Sequence, residues 1–359
     1  MVETLEQRQK AKKSVSVLRR RWRKFRTLKR GWYCFLILVG AYVLSLFLPL
    51  LISNRALVVR YDGKYYFPAL GNFYEAKEFG QRSIGEAHYR KLKDQFEEED
   101  KSNWVWMPPY SYGPNESLLT DLELPGSPPH SPSFAHWMGT DDRARDVFAR
   151  LAYGFRISLT FGLAVVAVGY LIGMVVGACL GFFGGRVDIY GQRLVEIWAG
   201  LPFLYTVMII SDIAKPNLWI LISMLAAFMW IGISFYVRGE FYREKARDYV
   251  AAAVSQGESN LSIMFRHILP NALTPVISFA PFALVGAISS LVALDFLGFG
   301  LRPPTPSWGE LVNQGLQNIY KWHLVFFPLG AMFTTLLMVV FIGEAIREAF
   351  DPKPYSRLR

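Results

Sequence analysis

The chain has 359 residues, 52% of them hydrophobic, and a formal net charge of +10. Trp32–Ile52, Ile157–Phe183, Pro216–Val237, Asn271–Leu294 and Trp322–Gly343 contain no Asp, Glu, Lys or Arg. Each can cross a hydrocarbon core, which takes about 20 helical residues, so an ordinary soluble globule is excluded. Two cysteines and five histidines without ligand spacing point to neither a disulfide framework nor a metal cluster.

In chain order, Met1–Gly31 comes first, with twelve Lys and Arg against Glu3 and Glu6. Basic residues beside a span favour the cytoplasm, so the N-terminus is expected there. A nucleic-acid patch is the weaker reading, because an apolar run follows at once. No small-x-small cleavage site follows Ile52, so 32–52 reads as an uncleaved anchor. Residues 53–156 then form an insertion on the outer side. Leu57–Phe67 carries Asp62-Gly63 between β-rich flanks, a hairpin signal. A charged stretch, Glu86–Lys101, precedes Trp104, Trp106, Tyr110 and Tyr112, which are interleaved with prolines, and the Pro-rich strip Pro125–Pro132 follows. These aromatics fit either the core of a small fold or a docking rim for a soluble partner.

The second span repeats glycine at 169, 173, 177, 181 and 185. Such a stripe lets another helix approach closely; a thin wall beside a solute path is the alternative. Ile197–Ser211 is short, and extending it back through Arg193 and Glu196 gives a sixth span. Those two residues are three apart and should pair at the interface. Six spans return the C-terminus, with Arg347, Lys353, Arg357 and Arg359, to the side of the N-terminus, and place Gly184–Arg193 and Arg238–Pro270 there too.

Between the fourth and fifth of the six spans, Asp248–Gln256 reads as a short helix with a small side at Ala251, Ala252 and Ala253. Gly257 is suited to end it in a left-handed conformation. Glu258–Ile268 would form a second piece, and Pro270 suits the first turn of the next span. Asp295, at the far end of that span, either caps the Leu297–Leu301 turn or serves a gate or substrate path. No Gly-x-x-x-x-Gly-Lys-Ser/Thr loop occurs in the sequence.

The order Ala252-Ala253, Gly257, Leu269-Pro270 resembles the cytoplasmic coupling loop of ABC-importer permeases. Ala251 stands where that family often has Glu, which shifts the docking toward shape. Trp137–Val147 resembles the Leu-Gly-Thr-Asp-x-x-Gly-Arg-Asp lead into the second span, with Ala144 in place of Gly. Leu294–Gly300 with Pro303–Gly309, and Gly343–Pro352, resemble the outer loop and terminal exit of C-type second permeases in the peptide branch. Leu57–Pro68 further resembles Yej-type permeases, a branch implicated in importing peptides and microcin C.

The resemblance implies an all-α polytopic membrane protein with six transmembrane helices in the type I ABC-importer permease fold. A small α+β or irregular periplasmic insertion would separate helices 1 and 2. The expected divisions are a basic cytoplasmic segment 1–31, the anchor 32–52, the insertion 53–156, a five-helix core 157–346 with coupling loop 239–270, and a cytoplasmic tail 347–359. It implies a bacterial inner-membrane heterodimer with a second permease, two ABC ATPases that use ATP and Mg, and a periplasmic peptide-binding protein. This chain itself would be non-catalytic and bind no cofactor. ATPase docking falls to Tyr249, Val250, Ala251, Ala252, Ala253, Gly257, Arg266, His267 and Pro270, and binding-protein docking to Trp104, Trp106, Tyr110 and Tyr112. The rival is a secondary transporter driven by an ion gradient, which would need inverted repeats and broken helices.

Overall fold

The computed structural model describes residues 17–99, 102–120 and 126–350. The first sixteen residues of the basic segment, Asp100, Lys101, Pro125 and the tail beyond Phe350 lie outside the described residues. The helices are α1 (Val17–Thr27), α2 (Lys29–Leu46), α3 (Tyr89–Glu99), α4 (Val147–Phe183), α5 (Gly185–Ala199), α6 (Phe203–Ala214), α7 (Leu218–Lys245), α8 (Asp248–Ser255), α9 (Leu269–Phe296), α10 (Trp308–Gln317) and α11 (His323–Phe350). Strands β1 (Val58–Tyr61), β2 (Lys64–Tyr66) and β3 (Trp104–Trp106) lie in the insertion.

Five helices are long and apolar enough to cross a membrane: α2, α4, α7, α11, and α9 extended back to Asn260. The sixth expected span is a bent pair, α5 and α6, meeting at 67°. Its break falls at Gly200-Leu201-Pro202, where proline offers no N–H to continue the ladder. Arg193 and Glu196 do pair, at 2.5 Å on an exposed face of α5.

The second span starts ten residues earlier than its uncharged run. Asp146 caps α4 by accepting the Ala149 N–H at 2.8 Å, so 147–156 belongs to the helix rather than to the insertion. The two arginines in that first stretch are partnered, Arg150 by Glu310 and Arg156 by the Ser45 carbonyl, and charge compensated in this way does not end a helix. At 37 residues α4 is about 55 Å long, well beyond a hydrocarbon core of about 30 Å.

Gly169, Gly173, Gly177 and Gly181 form the seam between α4 and α7; a Cβ at Gly181 would lie 2.6 Å from the Arg238 carbonyl oxygen. Gly185 faces open space and sits at φ +52°, so it is a turn residue outside the seam. α10 is wedged beneath the insertion, with Trp308 and Leu311 buried against Val147, Leu151, Val292 and Leu324.

The insertion is a small α+β unit. Its sheet has the order β2-β1-β3, and the Tyr61–Lys64 pair closes a two-residue turn with Asp62 at φ 48° and Gly63 at φ 73°. Val59, Phe79, Tyr89, Leu92, Phe96 and Val105 form its core. At the opposite end of the bundle, α1 meets the start of α9 and the end of α11, with Arg21 donating to Thr274 (3.4 Å) and Lys24 to the Glu348 carbonyl (2.5 Å). The α7–α9 loop lies at that same end.

Candidate coupling loop

α8 ends in a complete left-handed stop. The Gly257 N–H donates to the Val254 carbonyl at 3.0 Å and the Glu258 N–H to the Ala253 carbonyl at 3.2 Å, with Gly257 at φ +76°. The expected second piece is a capped turn rather than a separate helix. Ser259 accepts the Ser262 N–H at 3.3 Å, and Ile263–Ile268 forms a π-helical turn that runs directly into α9. Such turns are rare in helices and cluster at functional positions. Pro270 lies in the first turn of α9, where its missing N–H costs nothing.

Spacing divides the candidate residues between two faces. Val250 and Ala253, three apart on α8, are buried with Phe241, Ile263, Met264 and Ile268. Expected at the docking face, they instead fasten α8 to the body of the chain. Their neighbours Ala251 and Ala252 are exposed, as are Gly257, Arg266 and Pro270. Val254, Leu261 and Phe265, not singled out from sequence, are 59%, 65% and 58% exposed beside them. The i, i+3 spacing of Val250 and Ala253 already carried the signal that separates the two faces.

Polar braces hold the loop on both sides. Tyr249 Oη donates to the buried Glu244 at 2.9 Å and accepts from Asn271 Nδ2 at 3.4 Å, tying α7, α8 and α9 together. Burial, with the Glu244 contact added to it, pushes the Tyr249 phenol up from its ordinary value, while the Asn271 contact opposes the shift. Glu258 accepts from Ser262 Oγ at 2.6 Å and meets His267 Nε2 at 3.0 Å. Those two contacts, Ser262 first, hold its carboxyl below the usual range. Nearby, Asp188 of α5 takes Arg238 Nε and Nη2 at 2.5 Å each and Tyr242 Oη at 2.6 Å.

On the insertion, the four aromatics separate. Tyr110 is buried and donates to Asp146 at 2.6 Å, while Tyr112 packs on the His136 ring at 4.3 Å. Burial and the Asp146 charge push the Tyr110 phenol up. Tyr110 is therefore a core residue, and the exposed rim is Trp104 and Trp106, at 38% and 62%. Asp295 is buried too. It accepts the Leu301 N–H at 2.6 Å and Ser307 Oγ at 2.5 Å, which is the capping alternative for this residue.

A buried ionic cluster went unread in the sequence. Asp141 accepts from Arg145 Nε at 2.7 Å, and Glu310 of α10 pairs with Arg145 at 3.1 Å and with fully buried Arg150 at 2.5 Å. Only the Asp141–Arg145 spacing hints at it; Glu310 is 160 residues from Arg150. Within the same turn, Ala144 is buried and held at φ +55°, the position where the resembling motif has glycine.

Residues 169–354, more than half of the chain and including the whole loop, match the model of the family described as binding-protein-dependent transport system inner membrane component. The chain belongs to this family. It is 39% identical to the inner membrane ABC transporter permease protein YejE of Escherichia coli (strain K12), covering 92% of this chain and 96% of that one. It is 36% identical to the peptidoglycan transport system permease protein YejE of Agrobacterium fabrum, covering 94% of each. The dipeptide transport system permease protein DppC of Bacillus subtilis is 36% identical over 66% of this chain and 72% of its own length. This family member is an ABC importer permease, a multi-pass membrane subunit, and the ion-gradient transporter is set aside. Membership implies an ATPase and a binding protein as partners.

Proposed function

We propose that this chain is one of two permease subunits of an ATP-driven importer of peptides or peptide-like compounds in a bacterial inner membrane. The second permease is a related chain, both termini face the cytoplasm, and a periplasmic peptide-binding protein delivers substrate on the insertion side. Two ATPases, holding ATP and Mg, dock at the α7–α9 loop; this chain performs no hydrolysis and binds no cofactor. The relatives carry names of dipeptide and peptidoglycan transport, which supports the substrate class.

The observation that carries the reading is the two-faced loop. Its inner face is buried and braced, so it moves as one body with α7 and α9. Its outer face presents small Ala251 and Ala252 beside exposed Val254, Leu261 and Phe265, an apolar surface suited to a protein partner. Closure of the ATPases on ATP displaces this surface, and α7 and α9 follow. The coupling is reciprocal, so substrate delivery in turn alters ATPase turnover. On the other face, Trp104 and Trp106 offer aromatic anchors to the binding protein.

The test uses the complete complex in proteoliposomes. Gly257→Glu should abolish ATPase co-purification and peptide uptake while the chain still inserts. Gly257→Asn, which tolerates the same φ, should retain both. Normal uptake and co-purification in the Glu variant would count decisively against docking at this loop.

A further inference from the structure

The elbow between α1 and α2 takes no part in that reading. One residue, Leu28, breaks the helix there with φ −82° and ψ 81°. α1 is held to the bundle by a single face: Phe25 is buried, Arg21 reaches Thr274 and lies 4.8 Å from the Phe350 ring, and Lys24 reaches the Glu348 carbonyl. On a helix turning once per 3.6 residues, Arg19, Arg23 and Arg26 form a row on the opposite face. All three are exposed, and exposed Lys29 and Arg30 extend the charge to the start of α2. No Asp or Glu occurs from residue 17 to residue 31. Among the described residues, none of these five cations forms an ion pair. The acidic groups facing the elbow are Glu344 and Glu348 of α11, which border a hollow with Lys29 and Arg30.

An apolar slot begins beside this charge. Trp22, Phe25, Trp32 and Phe35 pack ring against ring at 5.6–6.0 Å. Phe35 also lines a groove of about 270 Å³ between α2, α4, α9 and α11, walled by Leu38, Val39, Leu163, Leu284 and Val339. α2 has the smallest buried share of the five long spans, 17%, so this flank is open sideways. Clustered cations at the end of a span attract anionic headgroups, and aromatic rings favour the membrane interface. Charge at one end and a hydrocarbon slot at the other fit an amphiphile better than a protein or a nucleic acid.

We propose that the α1–α2 elbow binds an anionic phospholipid, with its headgroup on Arg19, Arg23, Arg26, Lys29 and Arg30. One acyl chain lies along the groove that starts at Phe35. The occupant is a lipid of the surrounding bilayer rather than free phosphate.

The complete transporter, purified in detergent, is titrated with phosphatidylglycerol and with phosphatidylcholine, and bound lipids are counted by native mass spectrometry. Phosphatidylglycerol should bind more tightly, and raised salt should weaken it. The triple variant Arg19→Gln, Arg23→Gln, Arg26→Gln should lose affinity for phosphatidylglycerol by about 100-fold, with phosphatidylcholine unchanged. The corresponding triple Lys variant should keep most of that affinity. Leu163→Trp, which fills the groove, should weaken the diacyl lipid and leave inorganic phosphate binding negligible, as in the wild type. Equal binding of the two lipids by the wild type, or undiminished phosphatidylglycerol binding by a folded Gln variant, overturns the proposal. If the Gln variant does not assemble, the comparison of the two lipids at low and high salt on the wild type decides alone.

Discussion

Ala144 shows how much one residue can reveal about a turn. Its φ of +55° lies in the left-handed region, where a Cβ costs roughly 1–2 kcal/mol. The turn is fixed from outside, because Asp141 accepts the N–H groups of Arg143 and Arg145 at 3.0 and 2.8 Å. Ala144→Gly should therefore raise stability by about 1 kcal/mol, read as a higher melting temperature of the detergent-solubilised protein. Glu258 gives a pH signature at the other end of the molecule. Its carboxyl titrates below the usual range when folded, so the folded state favours the ionised form. That stabilisation is fully present above the ordinary glutamate pKa and is lost as pH falls through the lowered folded value. Hydrogen-exchange protection of 258–268 should fall on acidification in the wild type, whereas Glu258→Gln should show low protection already at neutral pH. Equal protection in the two proteins at neutral pH would remove the brace.

At the scale of elements, the α4–α7 seam depends on missing side chains. A Cβ at Gly177 would overlap the Ser234 carbonyl oxygen, which cannot move without moving α7. Gly177→Ala should destabilise the protein by about 1–3 kcal/mol. Gly40→Ala, on a part of α2 with open space around it, should be neutral or slightly stabilising in the same thermal unfolding measurement. Much at this scale was legible in advance, because its causes are local. Asp62-Gly63 specified the hairpin, glycine every fourth residue specified the seam, and Gly257 specified the end of α8. What escaped reading depends on distant partners. α4 could start at Val147 because Glu310 neutralises Arg150 from another helix. The 67° bend between α5 and α6 falls inside the apolar run Ile197–Ser211, where Pro202 is its one local signal and does not set the angle. The π turn at Ile263–Ile268 has no sequence rule behind it; its Ile263, Met264 and Ile268 are buried against Val250 and Ala253 of α8.

For the whole molecule, the decisive internal contact is the ionic cluster where α4, α10 and the insertion meet. Arg150 is fully buried, donates to the Pro114 carbonyl at 3.0 Å and pairs with Glu310 at 2.5 Å. Removing the carboxylate leaves buried Arg150 and Arg145 sharing Asp141, 3.6 Å from Arg150, as their remaining counter-charge, at a cost of about 3–5 kcal/mol. Glu310→Ala should thus lower the melting temperature sharply and reduce recovery of assembled complex, and Glu310→Gln should be intermediate. A melting temperature unchanged by Glu310→Ala would show that water already screens the cluster. The same placement gives α4 an unusual position. The insertion is bolted to one tip of a continuous rod about 55 Å long, and the glycine seam grips the same rod along its other half. A tilt of α7 near the loop therefore has one continuous helix between it and the insertion. The two ends of this protein are thus fastened to the same helix, the loop end through the glycine seam and the insertion end through the ionic cluster.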